Sequence, residues 1–240
     1  MPIRATPDQI SRLGAFSTCE ISDALVKLGN PTGCYVPDLE QLSGAEGQVV
    51  VGEAFTVQMV DAFADAQAPK LTDHFCDLAT PGSVVFISGP SRTKSAFLGG
   101  LLATALSRKG VKGVMISGRC RDLAELRQLN LPVYARGHST LGQSPFTRPS
   151  QVQVPLPIVP VFPLSSTDRC AEPSTPLAPV TVYPFDLVVA DLDGVVVVRP
   201  ETVERVIELA TEARRIDELC RKDLERGKGV KETFKKHRGT

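Results

Sequence analysis

The chain has 240 residues, 42% of them hydrophobic and 22% charged, with 27 basic and 27 acidic side chains and no net charge. That length buries a full core as one domain with or without an extension, and the balanced charge argues against nucleic acid or an anionic membrane as the partner. Six scattered cysteines (Cys19, Cys34, Cys76, Cys120, Cys170, Cys220) with no CxxC pair suit reduced thiols; with no secretory leader and no run of about 20 apolar residues, the expected compartment is the cytoplasm.

Thr6-Pro7-Asp8-Gln9 and Ser17-Thr18-Cys19-Glu20 each have the form of a capping box, which predicts two helices between about 7 and 29. The β-branched run from Gly47 to Val60 predicts a strand, or a bent pair broken at Gly52. Helices are then expected over Pro69–Leu78, Ser95–Lys109 and Arg121–Leu129, alternating with strands Ser83–Ser88, Gly113–Ser117 and Pro132–Arg136. This alternation predicts an α/β fold with a buried, largely parallel central sheet flanked by helices. In such sheets ligands collect beyond the carboxyl ends of the strands, so the loops after Ser88 and Ser117 are the places to look.

Ten of the 19 prolines fall between Pro145 and Pro184, which excludes helix there and leaves short edge strands. Asp186 to Val198 reads as two strands joined by a turn at Asp193-Gly194. Val203, Ile207, Ala210 and Ala213 recur at helical spacing, so an amphipathic helix is expected from Glu201 to Cys220, within a C-terminal helical extension of about 201–240. After Gly227 the tail turns basic and reads as a solvated helix or arm.

Two stretches carry chemistry. Gly113-Val-Met-Ile-Ser-Gly-Arg-Cys-Arg-Asp122 is a buried strand that delivers Arg121 and Asp122 to a helix start. Asp122 there is a hard oxygen donor suited to magnesium, and Arg121 is a fork for a carboxylate or an enolate oxygen. The same pattern also reads as an aspartate favouring a helix N-terminus and a surface ion pair. In Phe97-Leu-Gly-Gly-Leu-Leu-Ala-Thr-Ala105, Gly99 and Gly100 open a helical pattern. Paired glycines there allow close backbone approach to an anion, or tight packing against a neighbour. The three histidines are far apart in sequence, no Ser/His/Asp or Cys/His arrangement stands out, and GxGxxG and P-loop signatures are absent.

Gly99-Gly-Leu-Leu-Ala-Thr, GVKGVMISGRCRD to Asp122, Pro132-Val-Tyr-Ala-Arg-Gly137 and Asp186-Leu-Val-Val-Ala-Asp-Leu-Asp-Gly-Val-Val-Val-Val198 resemble, in order, the RraA-like family, from about Ile10 to about Ala213. The resemblance implies a single RraA-like swivelling β/β/α domain over 1–240, assembled as a homotrimer or a pair of trimers with the site at a subunit interface. It implies a metal-dependent lyase acting on a small 2-oxo diacid, of the 4-hydroxy-4-methyl-2-oxoglutarate aldolase and oxaloacetate decarboxylase kind. By the same likeness Asp122 ligates Mg2+ or Mn2+, Arg121 contacts substrate oxygens, and the amides from Gly99 through Gly100 and Leu101 to Leu102 hold the pyruvyl carboxylate. Asp191 and Asp193 lie in the segment that supplies acids from a neighbouring subunit. The family also holds a non-catalytic regulator, RraA itself, and an old methyltransferase label for which no cofactor signature is present. Two departures stand out: Gly100 where relatives often carry an acid, and Pro184-Phe185-Asp186 where many read Pro-Gly-Asp. The long charged tail resembles a fungal branch.

Overall fold

The computed structural model describes residues 3–45, 47–160 and 177–239. Cys170 and the middle of the proline-rich stretch lie outside them. In chain order the elements are α1 (Pro7–Leu13), α2 (Thr18–Lys27), β1 (Tyr35–Val36), β2 (Glu40–Ser43), β3 (Val50–Asp61), α3 (Phe75–Leu78), β4 (Val84–Ser88), β5 (Ala96–Leu98), α4 (Gly100–Lys109), β6 (Gly113–Ser117) and β7 (Arg119–Cys120). They continue as α5 (Leu123–Leu129), β8 (Val133–Ala135), β9 (Thr147–Val152), β10 (Leu156–Ile158), β11 (Val180–Val182), β12 (Leu187–Asp191), β13 (Gly194–Val198), α6 (Val203–Glu225) and α7 (Val230–Arg238).

Both expected capping boxes form. Thr6 and Ser17 accept from the backbone three residues on, and Gln9 and Glu20 return the bond. Strand β3 runs unbroken through Gly52 and organises the sheet: Val50–Glu53 pair antiparallel with β12, Ala54–Gln58 parallel with β4, and Val57–Asp61 antiparallel with β9. The strand order is β1-β13-β12-β3-β4-β6-β8-β2. The sheet is therefore mixed rather than largely parallel: β3, β4, β6 and β8 are its parallel centre, and antiparallel strands complete both flanks. The turn between β12 and β13 is Leu192–Asp193, with Asp191 opposite Gly194, one residue earlier than the sequence suggests.

Alternate side chains of the central strands feed two cores, as a period of two requires. Val85, Ile87, Val114 and Ile116 pack under α3, α4 and α5, against Phe75, Ala103, Leu106 and Leu126. Val84, Phe86, Met115 and Tyr134 face the other way, towards β10 and β11. A third cluster seats α1, α2 and α6 on the β12–β13 hairpin. Among the described residues no helix is long and apolar enough to cross a membrane.

Candidate functional site

The site is built where the chain leaves β4 and β6. The segment expected as one helix from Ser95 begins instead as β5, which pairs in parallel with β7 through Ala96–Arg119 and Leu98–Cys120. This small ribbon stitches the two crossover loops together, and the Arg121 amide extends it by donating to the Leu98 carbonyl at 2.9 Å. Gly99 thereby comes to lie beside Arg121 and Asp122, and α4 starts at that point with Gly99 as its N-cap.

Asp122 does not cap its own helix; its side chain is turned to the start of α4 and to Arg121. It occupies the N-cap position of α5 but in the left-handed region, φ 62° and ψ 44°, and makes no side-chain bond to its own helix. Its Oδ2 instead accepts the Gly100 amide of α4 at 2.9 Å and lies 3.3 Å from Arg121 Nε. The glycines make room for this. A Cβ on Gly99 would stand 2.6 Å from Asp122 Oδ2 and 3.0 Å from Arg121 Nε. A Cβ on Gly100 would coincide with the Glu125 carboxylate, 2.7 Å from its Cδ. Close approach is thus the reason for both glycines, and what approaches is a pair of carboxylates.

Around this point lies a hollow of about 180 Å³ lined by Phe97, Gly99, Leu101, Leu102, Arg121, Asp122 and Gln143 among others. Gly142 packs on the guanidinium, where a Cβ would sit 2.9 Å from Nη1. With the Gly100 amide engaged by Asp122, the first-turn amides of Leu101 and Leu102 are the α4 donors that have no intrahelical acceptor. Together with Arg121 they are donors of the kind that bind an anion at a helix N-terminus. Sequence reading missed Gln143 and Glu125; Glu125, in the first turn of α5, carries the ordinary signature of a solvated helix face.

Among the described residues no three His, Cys, Asp or Glu side chains cluster as a metal site. A cation held at Asp122 would draw most of its shell from water and substrate, which suits magnesium-type ions with one or two carboxylates. Burial pushes the Cys120 thiol up to about 11 and Cys76 up to about 12, so both stay protonated thiols near neutral pH. A larger hollow of about 710 Å³ at the other end of the sheet has no acid or histidine in its lining; its one cation, Lys112, is bonded to the Val51 carbonyl.

Asp191 and Asp193 are not brought to this site within one chain. Asp191 ends β12 just past Ala190, which pairs with Val50 at the start of β3, whereas Asp122 lies beyond the end of β6. The two acids therefore sit at opposite ends of the sheet. Asp191 accepts from the Thr18 amide at 2.8 Å and hydroxyl at 2.6 Å, capping α2.

Residues 18–197 match the family model described as RraA-like, Aldolase/RraA. A protein of Halalkalibacterium halodurans, provisionally named 4-hydroxy-4-methyl-2-oxoglutarate aldolase, is 28% identical over 215 residues, 90% of this chain and 88% of that one. A Thermus thermophilus 4-hydroxy-4-methyl-2-oxoglutarate aldolase is 35% identical over 78 residues, 32% of this chain and 47% of its own. Among solved structures, Streptomyces coelicolor RraAS2, described as an unusual member of the RNase ES inhibitor RraA protein family, superposes with a TM-score of 0.72 at 24% identity, covering 91% of this chain and 98% of that one. A Pseudomonas syringae protein described as uncharacterized superposes with a TM-score of 0.73 at 24% identity over 96% of this chain and 98% of its own. At that identity the two structures speak for the fold.

Proposed function

We infer the function from one premise: the chain belongs to the RraA-like family. On it we propose a divalent-metal-dependent carbon–carbon lyase that releases pyruvate from a small 2-oxo diacid. The substrates are 4-hydroxy-4-methyl-2-oxoglutarate, by retro-aldol cleavage, oxaloacetate, by decarboxylation, or both. The observation that carries this reading is the convergence of Arg121, Asp122 and the free amides of α4 on one hollow. The names of the aldolase relatives point the same way.

Both reactions break the bond between the third and fourth carbons and leave its electrons on pyruvate as an enolate. In the proposed site the Leu101 and Leu102 amides bind the pyruvyl carboxylate, and the Arg121 guanidinium lies against the 2-oxo oxygen where negative charge develops. Asp122 holds the divalent cation, Mg2+ or Mn2+, which when bound adds electrophilic polarisation of the same oxygen. For the retro-aldol reaction the substrate's 4-hydroxyl must also lose a proton; no histidine lines the hollow, so an acid-positioned water serves as base. Self-assembly into a trimer or a pair of trimers is part of the proposal: Leu101, 86% exposed on the rim of the hollow, is an apolar side chain that a second copy would cover.

The test is pyruvate release from each substrate with Mg2+ or Mn2+, with chelator, against enzyme-free controls, and in Asp122→Asn, which tolerates the left-handed backbone while removing the charge. Release well above control, abolished by chelator and by the substitution, is expected. Absence of release by a folded, metal-loaded chain would sink the lyase reading and leave a regulatory binding role.

A further inference from the structure

The mechanism above uses one carboxylate, and the structure holds a second beside it. Glu125 projects from the first turn of α5 onto Gly100, in the space that only a missing Cβ leaves open. Among the described residues its carboxylate has neither a hydrogen bond nor an ion pair. It does not cap α4, because the Gly100 amide is given to Asp122. Two carboxylates therefore flank one glycine: Asp122 lines the hollow together with Arg121, its ion-pair partner, and Glu125 lies against Gly100 next to it.

Charge makes this arrangement unsatisfied as it stands. Asp122, Glu125 and Arg121 sum to one negative charge around Gly100, beside the hollow proposed to receive a dianion, and that charge repels the dianion. A divalent cation reverses the sign to one positive charge. Carboxylate oxygen is also the donor type that magnesium-class ions take, with water completing the shell. We propose that Glu125 is the second carboxylate that holds the divalent cation, sharing it with Asp122, and that Gly100 is glycine in order to admit it. Glu125 is a positioning residue rather than a catalytic one: it fixes the cation and touches no reacting atom. The proposal rests on the metal-dependent reading of the site and goes beyond it in naming the residue.

The test is Mn2+ binding by the full chain after chelator stripping, read from the spin-resonance signal of free Mn2+ during titration, so that no turnover is needed. Glu125→Gln keeps the shape and removes the charge; Gly100→Ala keeps the charge and drives the carboxylate away. Each is expected to weaken Mn2+ binding about tenfold, with unfolding of the metal-free chain unchanged in Glu125→Gln. If wild type binds Mn2+ and Glu125→Gln binds within about twofold of it, the Glu125 role is overturned while Asp122 and the lyase reading stand. If wild type binds no Mn2+ yet releases pyruvate in chelator, the metal reading falls and the Glu125 role with it.

Discussion

Asp186 offers a quantitative check on how this fold tolerates charge. The side chain is 1% exposed, accepts the Tyr183 amide at 2.8 Å and lies 3.2 Å from Arg199 Nε. Burial outweighs both partners and pushes its carboxyl up from 3.8 to about 6. Between those values the folded chain holds a proton that the unfolded chain has lost. The associated stability is therefore fully present below pH 3.8 and lost as pH rises through about 6. At neutral pH the buried charge costs ~3 kcal/mol relative to a neutral side chain of the same shape. Asp186→Asn keeps the acceptor for the Tyr183 amide and deletes the charge, so it is expected to stabilise the chain by about 1–3 kcal/mol at pH 7.5, the lower end allowing for Arg199 losing one of its two carboxylate partners, Glu201 being the other. Urea unfolding at pH 7.5 and 4.5 measures the difference between variant and wild type. That advantage should shrink by ~2 kcal/mol at the lower pH, whatever constant offset the amide introduces. An advantage independent of pH, or one growing towards acid, would refute the account of Asp186 as an ionised, desolvated carboxylate.

Phe185 stands at φ 71°, with Arg4 stacked 4.5 Å over its ring. Phe185→Gly should exceed Phe185→Ala in stability by about 1 kcal/mol in urea melts, because both lose the ring but only alanine keeps the left-handed strain; equal values would mean that there is none. A Cβ on Gly118 would press on the fully buried Phe97 ring, 2.6 Å from Cδ2, so Gly118→Ala should lose about 1–3 kcal/mol, partly recovered by adding Phe97→Leu. Glu20 accepts two bonds from Arg214, at 2.6 and 2.7 Å, which hold its carboxyl down to about 2. That stability is present above pH 4.5 and lost as pH falls through about 2, so Arg214→Gln should cost about 1–2 kcal/mol at pH 7, after discounting for exposure, and progressively less in melts at pH 4 and 3.

Much of this architecture is written in local pattern. The two capping boxes, the five-residue buried strands and the Gly110 stop of α4, at φ 80°, follow from chemistry within a few residues. The order Gly99, Arg121, Asp122 points to the hollow that these three residues line together. What local pattern does not carry is pairing between distant segments. Nothing near Leu187 says that it will lie opposite Glu53, so the β12–β13 hairpin was legible but its antiparallel pairing with β3 was not. Ala96–Leu98 is apolar at a spacing that fits helix or strand equally, and only β7 decides it. In the segment from Pro69 only Phe75–Leu78 is helical, with His74 as cap through its ring nitrogen, because the proline and turn-forming residues before it favour extended and turn backbone. Glu125 was invisible for a related reason: its role depends on an atom that Gly100 lacks.

The left-handed backbone at Asp122 narrows what evolution can do with this position. Few residues tolerate that conformation, chiefly glycine, asparagine and aspartate. Asparagine keeps the fold and the side-chain oxygen that takes the Gly100 amide, and differs from aspartate by a single base in the codon. On the function proposed above, a lineage descended from this chain stands one nucleotide from a protein with the same surface and a silenced centre, with no intermediate that must survive misfolding. On such a scaffold catalysis and pure recognition are neighbouring states, and passage between them leaves almost no trace in the shape of the molecule.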